Sequence, residues 1–391
     1  MSLVRRNLLV LALVLFSGNL FANEVTAVWT RLYNTAATTE QKLAIMTNIV
    51  EQNSREMIPV LQEALEQEVI MLENISGTTQ RDRVYTLMRI IVDELGNLKA
   101  TASADTLYLV SEEVSDPFLQ AAAIRAIGKI GAVGHVQKIA FRLRNINLGI
   151  TDFTVKEEVE TIVSACVETL ELLRRPVGFS PVFFTAIGRY SAPVIERAER
   201  AMINMIDDPA ELLLEILTYE SDFAIKYQVL LVGDRSKAPE ERKAFLAKEA
   251  LDQGLKFETS DRRQQISLSN LRTKAANMLK QYASADDEAF ILLDQMVRKS
   301  FSMTETLTAL EALGASGSDA AARLLAAYLS ELNARRKEGY TFSNENIVRA
   351  TINALGNIGS PIGRPALIEV EFSNWSGDTR RLARGALDKL K

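Results

Sequence analysis

The chain has 391 residues, 47% hydrophobic and 24% charged, with a formal net charge of −5. Nineteen glycines and nine prolines exclude a collagenous or broadly disordered chain, and an aromatic content of 7% suits helix-on-helix packing better than a β-sandwich. The acidic balance argues against a nucleic-acid binder, whose affinity rests on neutralising phosphates.

Residues 1–22 read as a secretory signal. Arg5 and Arg6 form a basic start, Leu8 to Phe16 an unbroken apolar run, and Ala22 a small residue for cleavage. The run is shorter than the roughly 20 apolar residues a membrane span needs. Cleavage there leaves no stable membrane insertion and shifts the formal charge from −5 to −7, since two arginines and no acid are lost. Residues 23–80 carry two or three helices without the repeat motif that follows, as expected of an N-terminal helical cap.

From residue 81 to 391 one pattern recurs. Glu94 to Lys99 (ELGNLK), Ala126 to Gly131 (AIGKIG), Ala312 to Gly317 (ALGASG) and Ala354 to Gly359 (ALGNIG) share it, and Ala386 to Lys391 closes the chain without the glycines. Before the second motif, Asp116 is suited to cap a helix and Pro117 to open it. Gly128 would let a neighbouring helix approach, and Gly131 would end the helix in a left-handed conformation. Val136, Ile139, Ala140 and Leu143 then mark a second amphipathic helix. Weaker echoes at Thr169, Ala201 and Asn277 bring the expected total to about nine helix pairs. The polar stretch 333–345 reads as an insertion, with further loops at 144–152, 174–181, 233–240 and 371–378.

These motifs resemble HEAT repeats, in particular the short HEAT-like repeats of proteins related to phycobilisome lyases. Residues 116–143 carry the resemblance most fully, through Asp116-Pro117, the Ala121 to Ala123 run and Ile127 to Gly131. The resemblance implies an all-α, right-handed armadillo/HEAT-like solenoid whose successive repeats offer an extended binding surface.

Residues for chemistry are few. His135 is the one histidine and Cys166 the one cysteine, which leaves no partners for a hydrolytic triad or a two-histidine zinc site. No cofactor or metal ligand set is expected, and the chain reads as a non-enzyme. Cys166, beside Ile162, Val163 and Leu170, reads as a buried apolar residue. His135 reads as a polar residue near a helix terminus. The acidic runs at Asp207-Asp208, Asp286 to Glu288, Glu157 to Glu160 and Glu240-Glu241 read as helix caps and solvated faces.

Aromatics recur in the expected second helices, at Tyr108, Phe141, Phe184, Tyr328 and Phe372, with Arg142 and Arg144 close by. Aromatics and arginine are the types most enriched at binding hot spots. Tyr108, Arg142, Arg144 and Tyr328 are therefore the candidate partner-binding residues, the arginines expected to face solvent, and Trp375 is expected to be the most exposed aromatic. The function expected is an exported scaffold or adaptor, periplasmic or secreted, that binds protein partners and assists assembly of a cell-envelope complex. The alternative is a HEAT-like lyase or other enzyme with a pocket on the concave face.

Protein recovered from the native cell should begin near Asn23. N-terminal sequencing checks this, and an intact Met1 on a cytoplasmic protein would contradict export.

Overall fold

Asp116 accepts a hydrogen bond from the Leu119 amide at 2.6 Å, and Pro117 opens the helix behind it. That helix ends at Gly131, whose φ of 77° is left-handed. The Ala132 amide then bonds back to the Ile127 carbonyl at 3.2 Å, closing the turn in the Schellman manner. Cap, proline and glycine thus act as the sequence anticipates.

The computed structural model describes residues 24–72, 74–150, 155–283, 286–342 and 344–390; the expected signal segment lies outside them. Among the described residues all regular structure is helical. The chain divides after Ile206 into two units. The first holds α1 (24–35), α2 (Thr39–Glu51), α3 (Ile58–Leu72), α4 (Thr78–Asn97) and α5 (Ala104–Glu113). It continues with α6 (Pro117–Ile130), α7 (Val136–Gly149), α8 (Glu157–Leu173), α9 (Phe179–Ala186) and α10 (Ala192–Met205). The second unit holds α11 (Ala210–Tyr219), α12 (Phe223–Arg235), α13 (Glu240–Lys256), α14 (Arg262–Tyr282) and α15 (Asp287–Lys299). It ends with α16 (Met303–Ala315), α17 (Asp319–Lys337), α18 (Asn346–Ile358), α19 (Arg364–Glu369) and α20 (Gly377–Leu387).

Each unit is two rows of helices. In the first unit α2, α4, α6, α8 and α10 pack side by side, and α3, α5, α7 and α9 form the second row. In the second unit the even-numbered helices α12 to α20 form one row and the odd-numbered α11 to α19 the other. The region 24–80, expected as a cap, supplies α1 to α3, and α4 packs on both α2 and α3.

Within the first row the motif glycines set the spacing. A Cβ on Gly96 would lie 3.0 Å from the Ala126 Cα, and one on Gly128 3.0 Å from the Thr169 Cα. In the second unit a Cβ on Gly314 would lie 2.7 Å from the Ala354 Cα, and one on Gly356 3.0 Å from the Ala386 Cβ. Each glycine therefore receives the small residue at the motif's first position in the following first-row helix. The Thr169 hydroxyl uses this closeness to donate to the Ile124 carbonyl at 2.7 Å.

The passage from first to second row is equally regular in the first unit. Asn53, Lys99, Gly131 and Arg174 all have positive φ. Two residues after each begins a 3-10 turn: Arg55–Met57, Thr101–Ser103, Val133–His135 and Pro176–Gly178. The second-row helix starts directly afterwards. Leu61, Leu107, Ile139 and Val182 then occupy one position of the frame and are all essentially solvent-free.

Several expectations need correction. The stretch 144–152, expected as a loop, is helical as far as Gly149, where α7 ends. The stretch 333–345 is not wholly a loop, because α17 runs to Lys337 and Asn333 is buried. Trp375 is not exposed: it is 3% accessible, and its indole N–H donates to the Asn333 Oδ1 at 2.8 Å. The Asn333 amide in turn donates to the Ala366 carbonyl at 3.1 Å, so the extended helix supplies the polar partner that lets the indole enter the core.

Two glycines should respond to alanine with opposite signs. Gly314→Ala forces α16 away from α18 and should cost about 1–3 kcal/mol. Gly385→Ala, on α20 with nothing within 4 Å of the new methyl, should stabilise by about 0.5–1 kcal/mol. Denaturant melts of the two variants check both; equal effects would contradict the close approach.

Candidate functional site

The second row of the first unit carries the candidate surface. Tyr108 lies half-buried on α5, its ring centroid 5.3 Å from that of His135. The Lys138 ammonium sits 4.5 Å over the same ring. Burial, and then the Glu112 carboxylate beside it, raises the Tyr108 phenol above its ordinary pKa. His135 is 8% exposed and brings its Nε2 to 3.0 Å from Asp105 on α5. It ends a 3-10 turn, in the slot that Met57, Ser103 and Gly178 fill with buried atoms in the other repeats. It stands at the start of α7, the helix terminus expected for it, and packs there between helices without a side-chain cap hydrogen bond.

Arg142 does not face solvent as periodicity implies. Its side chain is 18% exposed, and Nη1 donates to the Ser111 carbonyl at 2.5 Å and to Glu112 at 2.9 Å. Nη2 donates to the Gln120 side chain at 2.6 Å. The guanidinium therefore closes the carbonyl end of α5 and ties it to α6. A long side chain placed beside a helix terminus finds such acceptors, and a single-helix projection does not register them. Arg144 is exposed, as expected. Tyr328 belongs to the second unit; it is half-buried on α17, with the Arg298 guanidinium 5.7 Å over its ring. Of the four candidates, then, Tyr108 and Arg142 share one cluster through Glu112, and Tyr328 lies elsewhere.

The repeat frame reveals residues that the motif search did not align. Ten positions after the left-handed residues Lys99, Gly131 and Arg174 stand Leu109, Phe141 and Phe184. Leu109 is 42% exposed, Phe141 63%, and Phe184 is half-buried. Three successive second-row helices thus present a large apolar side chain at the same place. Aromatic character marked Phe141 and Phe184 in the sequence; Leu109, ten residues past Lys99, carries no aromatic signal and was not singled out although the motif already aligns Lys99 with Gly131.

Elsewhere polar groups mostly serve the scaffold. Cys166 is fully buried, and burial pushes its thiol up to about 12, the state of an inert core residue. Asp286 accepts from the Glu288 and Ala289 amides at the start of α15 and pairs with Lys248 at 2.9 Å. Glu160 accepts from the amide of Ser191, capping the following first-row helix, and Glu345 does the same for Ser376. In the second unit a cavity of ≈ 500 Å³ is lined by Leu255, Glu258, Thr259, Ser260, Arg272, Lys299 and Phe301. Arg272, 1% exposed, spends its donors on the Gly254, Phe257 and Lys299 carbonyls and on Glu305. It joins the carbonyl ends of α13 and α15 beneath that cavity. Among the described residues no group of acidic, histidine or cysteine side chains is placed to hold a metal ion, and no helix is long and apolar enough to cross a membrane.

No protein-family model matches the chain, and no curated protein does. Among solved structures, it is similar to an engineered protein at 14% identity, covering 93% of this chain and 98% of that one, with a TM-score of 0.35. It is also similar to human deoxyhypusine hydroxylase, solved with glycerol, at 15% identity, 95% of this chain and 98% of that one, and a TM-score of 0.29. Similarity at this level assigns no family and transfers no activity. The expectation of a non-enzyme is corrected and not carried further: human deoxyhypusine hydroxylase is an enzyme.

The two arginines of α7 should separate in stability. Arg142→Ala strands the Ser111 carbonyl and the Gln120 and Glu112 side chains and should cost about 1–2 kcal/mol. Arg144→Ala should stay within about 0.5 kcal/mol of the parent. Thermal melting of the single variants tests this, and equal midpoints would remove the structural role given to Arg142.

Proposed function

We propose that this chain is an exported scaffold or adaptor that holds protein partners on the second-row surface of its first unit. The observation carrying this reading is the register of Leu109, Phe141 and Phe184, which repeats a solvent-accessible apolar side chain along three successive helices, exposed at the first two and half-buried at the third. A lone exposed apolar residue is ordinary, whereas a series at one repeat position sets a strip of them along one row. Lys138 and Arg144 flank it, and Tyr108 lies beneath Lys138. That combination of apolar centre and basic rim suits a protein partner.

The wider reading is of a HEAT-like, right-handed solenoid of about nine helix pairs that is delivered by its N-terminal signal to the periplasm or the extracellular space. Alternating rows of helices and the apolar run at residues 8–16 support it. The extended surface of such an array is its natural means of binding.

The test is a pair of measurements on Leu109→Ser/Phe141→Ser, with Ile203→Ser on the first row as control. Melting should be unchanged within about 0.5 kcal/mol per site, since all three side chains are substantially exposed. Recovery of partners from the native envelope should fall for the double variant by about 1–2 kcal/mol of affinity per residue, and should hold for the control. Undiminished recovery by the double variant would exclude the strip as the site.

A further inference from the structure

A repeat array needs polar outer faces at its ends. α20 meets this need at the end of the second unit, where Arg380, Arg381 and Arg384 are exposed. α1, the first described helix, does not. It attaches to α3 through Tyr33, buried and donating to Glu68 at 2.8 Å, and through Asn34, which donates to Glu63 at 3.1 Å. On its flank Val25, Val28 and Leu32 are 43%, 57% and 45% exposed. Ile70 and Met71, on the helix that α1 packs against, are 66% and 48% exposed.

The spacing of three and then four residues is that of a coiled-coil seam. Along the solvent edge of that seam lie Glu24 and Arg31, both exposed. We propose that α1 is a self-association surface on which a second copy of this chain docks with its own α1 antiparallel. A two-fold axis at Val28 sets that residue against itself and brings Val25 within one residue's rise of Leu32 of the second copy. It also brings Glu24 within one residue's rise of Arg31 of the second copy, twice, a step of about 1.5 Å that these side chains span. In the parallel arrangement the same charges would stand level with their own kind. The seam is therefore self-complementary in one orientation, as a closed two-fold dimer requires. This surface is separate from the strip on α5, α7 and α9 and does not depend on it.

The experiment uses the protein purified from its native compartment, with whatever N-terminus it carries there. Cys166 is buried, so an introduced surface cysteine is the one accessible thiol among the described residues. Val28→Cys should form a disulfide-linked dimer under mild oxidation, whereas Val25→Cys, which faces residue 32, should not. Light scattering should show concentration-dependent dimers for the parent chain. Glu24→Arg should raise the dissociation constant at least about tenfold, and Glu24→Arg/Arg31→Glu should restore it. A parent chain that stays monomeric up to about 100 μM, well above the range of a specific dimer, would overturn the proposal. So would a Val28→Cys chain that never cross-links, the result expected if residues 1–22 or a different protein cover the seam. A charge swap that fails to rescue would overturn the antiparallel pairing.

Discussion

The closeness of one first-row helix to the next governs much of the rest. Where Gly96, Gly128, Gly314 and Gly356 stand, the facing backbone or methyl carbon lies where a side chain would begin. Helices at that distance exclude water along the whole contact and bury Leu95, Ile127, Leu313 and Leu355 almost completely. The residue received must be small, which explains the alanines at 126, 354 and 386. Thr169 is the exception, and its hydroxyl is satisfied by a carbonyl of the neighbouring helix. Second-row helices fill the space left over, joined by specific polar ties such as Arg142 and Arg272 rather than by glycine contacts.

Much of this was legible from residue order because it depends on small residues at fixed offsets. Asp116, Pro117, Gly128 and Gly131 each perform the local task their chemistry implies. The left-handed position tolerates Asn53, Lys99 and Arg174 as well as glycine, and the frame fades in the sequence where, between Arg174 and Gly317, no described residue has positive φ. Lys99 is found through its companion Gly96, whereas Arg174, with the same backbone and no such companion, is not. Strain of about 1–2 kcal/mol at each such residue is offset by the turn hydrogen bonds and the packing that follows.

The candidate site was legible in kind more than in detail. Aromatics in the second helices pointed to the row on which the proposed strip lies, and Phe141 on that row is exposed. Arg142 and Trp375 went the other way, each toward burial, because their partners come from elements distant in sequence. Gln120 lies 22 residues before Arg142, and Asn333 lies 42 residues before Trp375. Helical periodicity reports which side of a helix is inward; it is silent on a neighbouring helix end that draws a long or amphipathic side chain sideways.

The constancy of the turn between rows has a further consequence for the first unit. From each left-handed residue to the start of the next helix the distance is always five positions, from Asn53 to Ile58 and from Arg174 to Phe179. Between successive left-handed residues, however, the interval varies from 32 to 46. Changes in length therefore gather on the other edge, where the chain returns from the second row to the first. Lengthening a loop there adds little closure entropy, roughly 0.6 kcal/mol for each doubling. One margin of the unit behaves as a fixed spine and the other as an open hem, on which new segments can be sewn without recutting the cloth.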